Sequence, residues 1–112
     1  MRAPLLDPDV AAILPQLQEV LSREYGERLR RIILFGSRIK GSAGEDSDVD
    51  VAVLLSGTVE DPWEEELRLD DRLRALRPRV DLHVFSETEF NRQAPVPGTL
   101  AYPIAREGAA IL

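Results

Sequence analysis

The sequence predicts an α/β chain in which a small mixed β-sheet carries helices packed mainly on one face. Three features point to it: β-branched runs at residues 31–35, 49–55 and 79–85, helix-period leucine stripes between them, and Gly and Pro placed as punctuation. No internal repeat or low-complexity segment interrupts the pattern.

Ile13, Leu14, Leu17, Val20 and Leu21 recur at three- and four-residue spacing, an amphipathic stripe ending near Gly26. A proline inside a helix costs about 3 kcal/mol, so this helix is expected to begin late or to kink at Pro15. Arg31-Ile32-Ile33-Leu34-Phe35 then reads as a strand stopped by Gly36. Gly36, Gly41 and Gly44, interleaved with Ser and Arg, describe a loop with room for one helical turn. Over residues 49–55, Val49, Val51, Val53 and Leu55 face one way while Asp48, Asp50 and Ala52 face the other.

Asp61-Pro62, followed by Trp63 and three Glu, is a helix start: an N-cap, a proline at the first helical position, and acids against the positive end of the helix dipole. Leu69, Leu73 and Leu76 continue that helix toward Pro78, and Trp63 is expected to anchor it to the sheet, with partner contact as the alternative. The third strand alternates Val80, Leu82 and Val84 with Asp81, His83 and Phe85. Ser86 with Glu89 forms a capping box for a short helix. Residues 91–98 form a loop, residues 99–107 a last helix, and Ala109-Ala110-Ile111-Leu112 an apolar tail that pairs as an edge strand or meets a partner.

The chain has 112 residues, a net charge of −6 and 44% apolar residues, which suits one domain over residues 1–112 and argues against disorder. With no Cys, disulfide frameworks, thiolate zinc sites and Cys nucleophiles are excluded together. The longest apolar runs are five residues, as at 51–55, too short to span a bilayer, and the start has no leader pattern. The expectation is a cytoplasmic protein without membrane contact. The acidic balance also disfavours direct nucleic-acid binding, which depends on Lys and Arg releasing counterions.

The chemistry concentrates in Gly36-Ser37, ten residues of polar loop, Asp48-Val49-Asp50, and Asp81 on a later strand. Carboxylates two apart on a strand converge on one hard cation, and magnesium is held by one or two of them plus substrate phosphates. Asp81 completes a pair of ions if its strand lies beside the first. Gly36 lets a phosphate approach the backbone, and the Ser37 hydroxyl donates to phosphate oxygens. Arg38 is expected to join Gly36 and Ser37 on the nucleotide phosphates, and Lys40 offers further positive charge. An acid near the α-phosphorus could deprotonate an incoming hydroxyl for in-line displacement of pyrophosphate, which is nucleotidyl transfer.

Leu34-Phe35-Gly36-Ser37-Arg38, through Gly41 to Ser47-Asp48-Val49-Asp50-Val51-Ala52-Val53, resembles the signature of the polymerase β-like nucleotidyltransferases, most of all their minimal branch. Val80-Asp81-Leu82 and Ile104-Ala105-Arg106-Glu107-Gly108 extend the resemblance over most of the chain. It implies that Gly36 and Ser37 bind nucleotide phosphates, that Asp48, Asp50 and Asp81 hold two Mg2+ ions, and that Asp81 serves as base. It also implies transfer of AMP from ATP to a tyrosine hydroxyl of a helical HEPN-type ribonuclease toxin, with this chain as the antitoxin.

Other motifs fail on inspection. Asp46, Asp48 and Asp50 match the first EF-hand ligands, but Val51 stands where Gly is needed and Gly57 where a bidentate Glu is needed. Gly36 and Gly41 have P-loop spacing, but Ser42-Ala43 replaces the Lys and hydroxyl residue. His83 could tune the base; a sheet histidine satisfying its own hydrogen bonds is the preferred reading. Ser47 reads as a turn serine, and Tyr25 and Tyr102 as packing residues rather than self-modification acceptors. A non-catalytic module that neutralises its partner by stoichiometric binding is the competing function. Transfer to a small molecule lacks a segment to build the acceptor cleft, and transfer to an RNA end lacks a basic stripe.

Overall fold

The computed structural model describes residues 7–40 and 48–112, the side chain of Lys40 excepted. The loop glycines Gly41 and Gly44, Ser47, and the start read for a leader lie outside the described residues, as does any contact of the Lys40 side chain.

Helix α1 runs from Pro8 to Tyr25, so it begins well before the sequence stripe suggests and passes through Pro15. Its start repeats the Asp-Pro signal seen at Asp61-Pro62: the Asp7 side chain accepts from the Asp9 N–H at 2.7 Å and Pro8 occupies the first turn. Pro15 is tolerated because Pro15 and Ala11 both lie on the exposed side, where water can reach the Ala11 carbonyl that the missing N–H leaves. After a single 3-10 turn, Gly26–Arg28, comes β1 (Leu29–Phe35), then the one-turn helix α2 (Ser37–Lys40). Strand β2 spans Val49–Leu55, α3 Pro62–Leu73, and β3 Val80–Ser86. Ser86 ends β3 and caps α4 (Glu87–Gln93), its hydroxyl accepting from the Glu89 N–H at 3.1 Å. Helix α5 (Ala101–Glu107) and the two-residue β4 (Ala109–Ala110) finish the fold.

The sheet order is β3-β2-β1-β4, with β2 parallel to β3 and β1 antiparallel to both β2 and β4. The apolar tail therefore does pair as an edge strand, and the Ile111 N–H adds a bond to the Ile32 carbonyl at 2.9 Å. One face of the sheet presents Ile32, Leu34, Val49, Val51, Val53, Leu55, Val80, Leu82 and Val84 to the buried stripes of α1 and α3. The opposite face is apolar over Ile33, Ala52 and Leu54, where Phe90 of α4 and Ala101 and Ile104 of α5 cover it. The two long helices thus share one face, and the two short ones close part of the other.

Polar ties also cross this scaffold. The Tyr25 hydroxyl donates to Glu65 at 2.7 Å, joining α1 to α3; burial, reinforced by the Glu65 charge, pushes the phenol well above its ordinary range. On the outer edge, the Val84 N–H of β3 donates to the Glu66 carboxylate at 2.8 Å. Trp63, in contrast, does not anchor α3: it is 68% exposed and shares an outward stripe with exposed Leu67, while Leu69 and Leu73 turn inward.

Candidate active site

Alternation along the strands sends Val49, Val51 and Val53 into the core and so turns Asp50 to the opposite face; Val80 and Leu82 do the same for Asp81. The parallel register sets Asp50 directly beside Asp81, and Ala52 beside His83. Asp50, Asp81 and His83 consequently converge, each offering a donor atom within 4.8 Å of the others. The His83 Nε2 lies 3.5 Å from Asp81 Oδ2 and 3.9 Å from Asp50 Oδ1. Asp48 sits one residue before β2, exposed, and is not part of this trio, though its charge is felt at Asp50.

The electrostatics are those of a site that favours a cation. Partial burial raises the Asp50 carboxyl above its ordinary value and the neighbouring Asp81 charge raises it further, while His83 opposes the shift. Two carboxylates and an imidazole within one coordination sphere are a donor set that fits a divalent ion.

Gly36 meets this cluster from β1. Its φ is +87°, and a Cβ there would fall 2.1 Å from Asp50 Oδ2, so only glycine lets the turn and the carboxylate come together. Ser37, exposed, follows at the first position of α2, and the Ile39 N–H closes the turn on the Gly36 carbonyl at 3.2 Å. Gly36, Ser37, Asp50 and Asp81 are thereby strung across three adjacent strands. Arg38 differs from its expected place as a phosphate ligand. It is buried, and its guanidinium turns to the start of α1, 3.2 Å from Asp7 and 3.9 Å from Asp9. The Asp9 N–H, with Arg38 adding to the effect, holds the Asp7 carboxyl below its ordinary value.

His83 is the residue for which the sequence preference and the geometry part. Alternation already put it on the Asp81 face; the missing information was that β2 and β3 are neighbours in register. Its ring also packs on Phe35, with centroids 5.4 Å apart, across the small side chain of Ala52. Tyr25 belongs to the core beneath the opposite face, away from the acids, and Tyr102 stacks under the Arg106 guanidinium at 4.5 Å.

Residues 15–112 match the family described as polymerase beta, nucleotidyltransferase. The chain belongs to the polymerase β-like nucleotidyltransferase family. Among solved structures it is similar to a chain of a toxin–antitoxin complex crystallised with AMP-PNP, at 24% identity and a TM-score of 0.53, covering 88% of this chain and 73% of that one. It is also similar to a protein from Sulfolobus solfataricus that carries the provisional description nucleotidyltransferase, at 25% identity and a TM-score of 0.52, covering 77% and 80% of the two chains. No functionally curated protein matches significantly. Among the described residues, no helix is long and apolar enough to cross a membrane.

Proposed function

We propose that this nucleotidyltransferase transfers AMP from ATP to a hydroxyl of a partner protein and thereby acts as an antitoxin. The observation that carries the reading is the register of Asp50 against Asp81 on one face of the sheet, beside the Gly36-Ser37 turn. Membership in the nucleotidyltransferase family supports the chemistry, and the likeness to a toxin–antitoxin chain crystallised with AMP-PNP supports the nucleotide and the partner. The family resemblance of the motifs adds a HEPN-type toxin and its tyrosine as acceptor, inside the cell.

In this reading the Gly36 backbone and the Ser37 hydroxyl hold the nucleotide phosphates, and Arg38 braces that turn against α1. Asp48, Asp50 and Asp81 would hold divalent ions, Mg2+ by the family resemblance; a bound ion would neutralise phosphate charge and stabilise the attacking and leaving oxygens. Asp81 accepts the acceptor's proton as its oxygen bonds to the α-phosphorus; the bond to the bridging oxygen breaks and pyrophosphate leaves. In-line displacement places the attacking and leaving oxygens on opposite sides of that phosphorus. With the phosphate turn at the end of β1, the acceptor enters over the β3 edge, where Pro62, Glu66, His83, Phe85 and Leu100 line a cleft of about 340 Å³.

The test is incubation with Mg2+, α-labelled ATP and the co-encoded helical partner. Label should appear on the partner and vanish in the Asp48→Asn, Asp50→Asn double variant; label that survives refutes the mechanism. The competing reading, stoichiometric neutralisation, draws on the exposed Trp63 and Leu67 stripe as a docking surface. Neutralisation by the double variant at equal dose would favour it.

A further inference from the structure

The donor set at Asp50, Asp81 and His83 is not the set a magnesium ion selects. Magnesium takes oxygen ligands in near-ideal octahedral geometry, whereas a neutral imidazole suits first-row transition ions. The His83 Nε2 stands 3.5 and 3.9 Å from the two carboxylate oxygens, longer than a hydrogen bond. Donors around a shared ion with bonds of about 2.1 Å are separated by roughly 3 to 4 Å. The imidazole is also positioned by the fold. It lies two residues after Asp81 on the same face, opposite Ala52, whose small side chain leaves room for Phe35 to pack on the ring.

We infer that His83 is a metal ligand, and that it makes the ion place shared with Asp50 and Asp81 select first-row transition ions over Mg2+, with Mn2+ as the member of that row whose ligands can be read by electron paramagnetic resonance. This rests on the nucleotidyltransferase reading only in setting a divalent ion at these two carboxylates. His83 then acts as a specificity-determining residue for the ion, leaving the phosphate turn at Gly36 and Ser37 unchanged.

The test uses the full chain without nucleotide or acceptor. Mn2+ binding is followed by electron paramagnetic resonance, with Mg2+ as competitor. The wild-type chain should bind Mn2+ at least about tenfold more tightly than Mg2+, and the bound Mn2+ should show electron–nuclear coupling to an imidazole nitrogen. His83→Asn should weaken Mn2+ about tenfold, change Mg2+ by no more than about twofold and remove the nitrogen coupling. Absence of Mn2+ binding, absence of the coupling in the wild-type chain, or equal weakening of both ions overturns the inference. The coupling is read on the unmodified protein, so the result does not depend on the variant folding. Loss of AMP transfer alongside an intact Mn2+ signature would count against the proposed function and leave this assignment standing.

Discussion

Strands β2 and β3 present two faces with opposite logic. Beneath them, Val49, Val51, Val53, Leu55, Val80, Leu82 and Val84 are buried against α1 and α3. Above them, at the intervening positions along the chain, Asp50, Asp81 and His83 stand partly exposed with like charges side by side. A residue on the lower face is chosen for what it removes from water; one on the upper face for what it leaves unneutralised. The difference teaches that the apolar face supplies the stability needed to hold two carboxylates closer than they would settle alone.

Exchanging the logic of the faces should have the largest effect. Val53→Asp places an unpaired carboxylate at a fully buried position and should cost about 4 kcal/mol or more, a large share of a small domain's stability. Loss of the cooperative melting transition in circular dichroism would confirm it. Next in size is Gly36→Ala, which adds backbone strain and a collision with Asp50 Oδ2. It should cost about 1 to 3 kcal/mol and blunt the melting shift that divalent ions produce.

Relieving the charge above the sheet should act in the other direction. Because the folded state binds the Asp50 proton more tightly than the unfolded chain does, its contribution favours folding at low pH and is lost as pH rises through the raised folded value. Asp50→Asn should therefore stabilise the metal-free protein at neutral pH, by no more than about 1 kcal/mol at this half-exposed site. Asp7 has the opposite sign. Its lowered carboxyl contributes stability above the ordinary value of 3.8 that fades as pH falls, so Asp7→Asn and Asp50→Asn should melt on opposite sides of the wild type at neutral pH and converge on it from opposite directions in acid. The smallest effect should come from Trp63→Ala, within about 0.5 kcal/mol by denaturant titration, since that ring contributes little to the core.

The apolar face was legible in the sequence because alternation is a local property: Val80, Leu82 and Val84 announce their side without knowledge of any neighbour. The open face was legible only in part. Asp50 and Asp81 could be assigned to a common chemistry through the motif, but the convergence of His83 depends on β3 lying parallel to β2 in one particular register, which no local pattern contains. Trp63 shows a signal present but outweighed: counting from Leu69 and Leu73 places it off the inward stripe, yet its size suggested burial. At α1, Pro15 masked an Asp7-Pro8 start of the same kind as Asp61-Pro62. The conformational cost of that proline is modest where the freed carbonyl faces water, and exposure is a tertiary fact.

The Glu66 carboxylate on the Val84 N–H bears on how the molecule behaves in a crowded solution. An outermost strand with free amides is a template on which a foreign chain can extend the sheet into aggregates. Here a negatively charged group already sits at one of those amides, so another strand approaching along β3 would have to displace it and desolvate its charge.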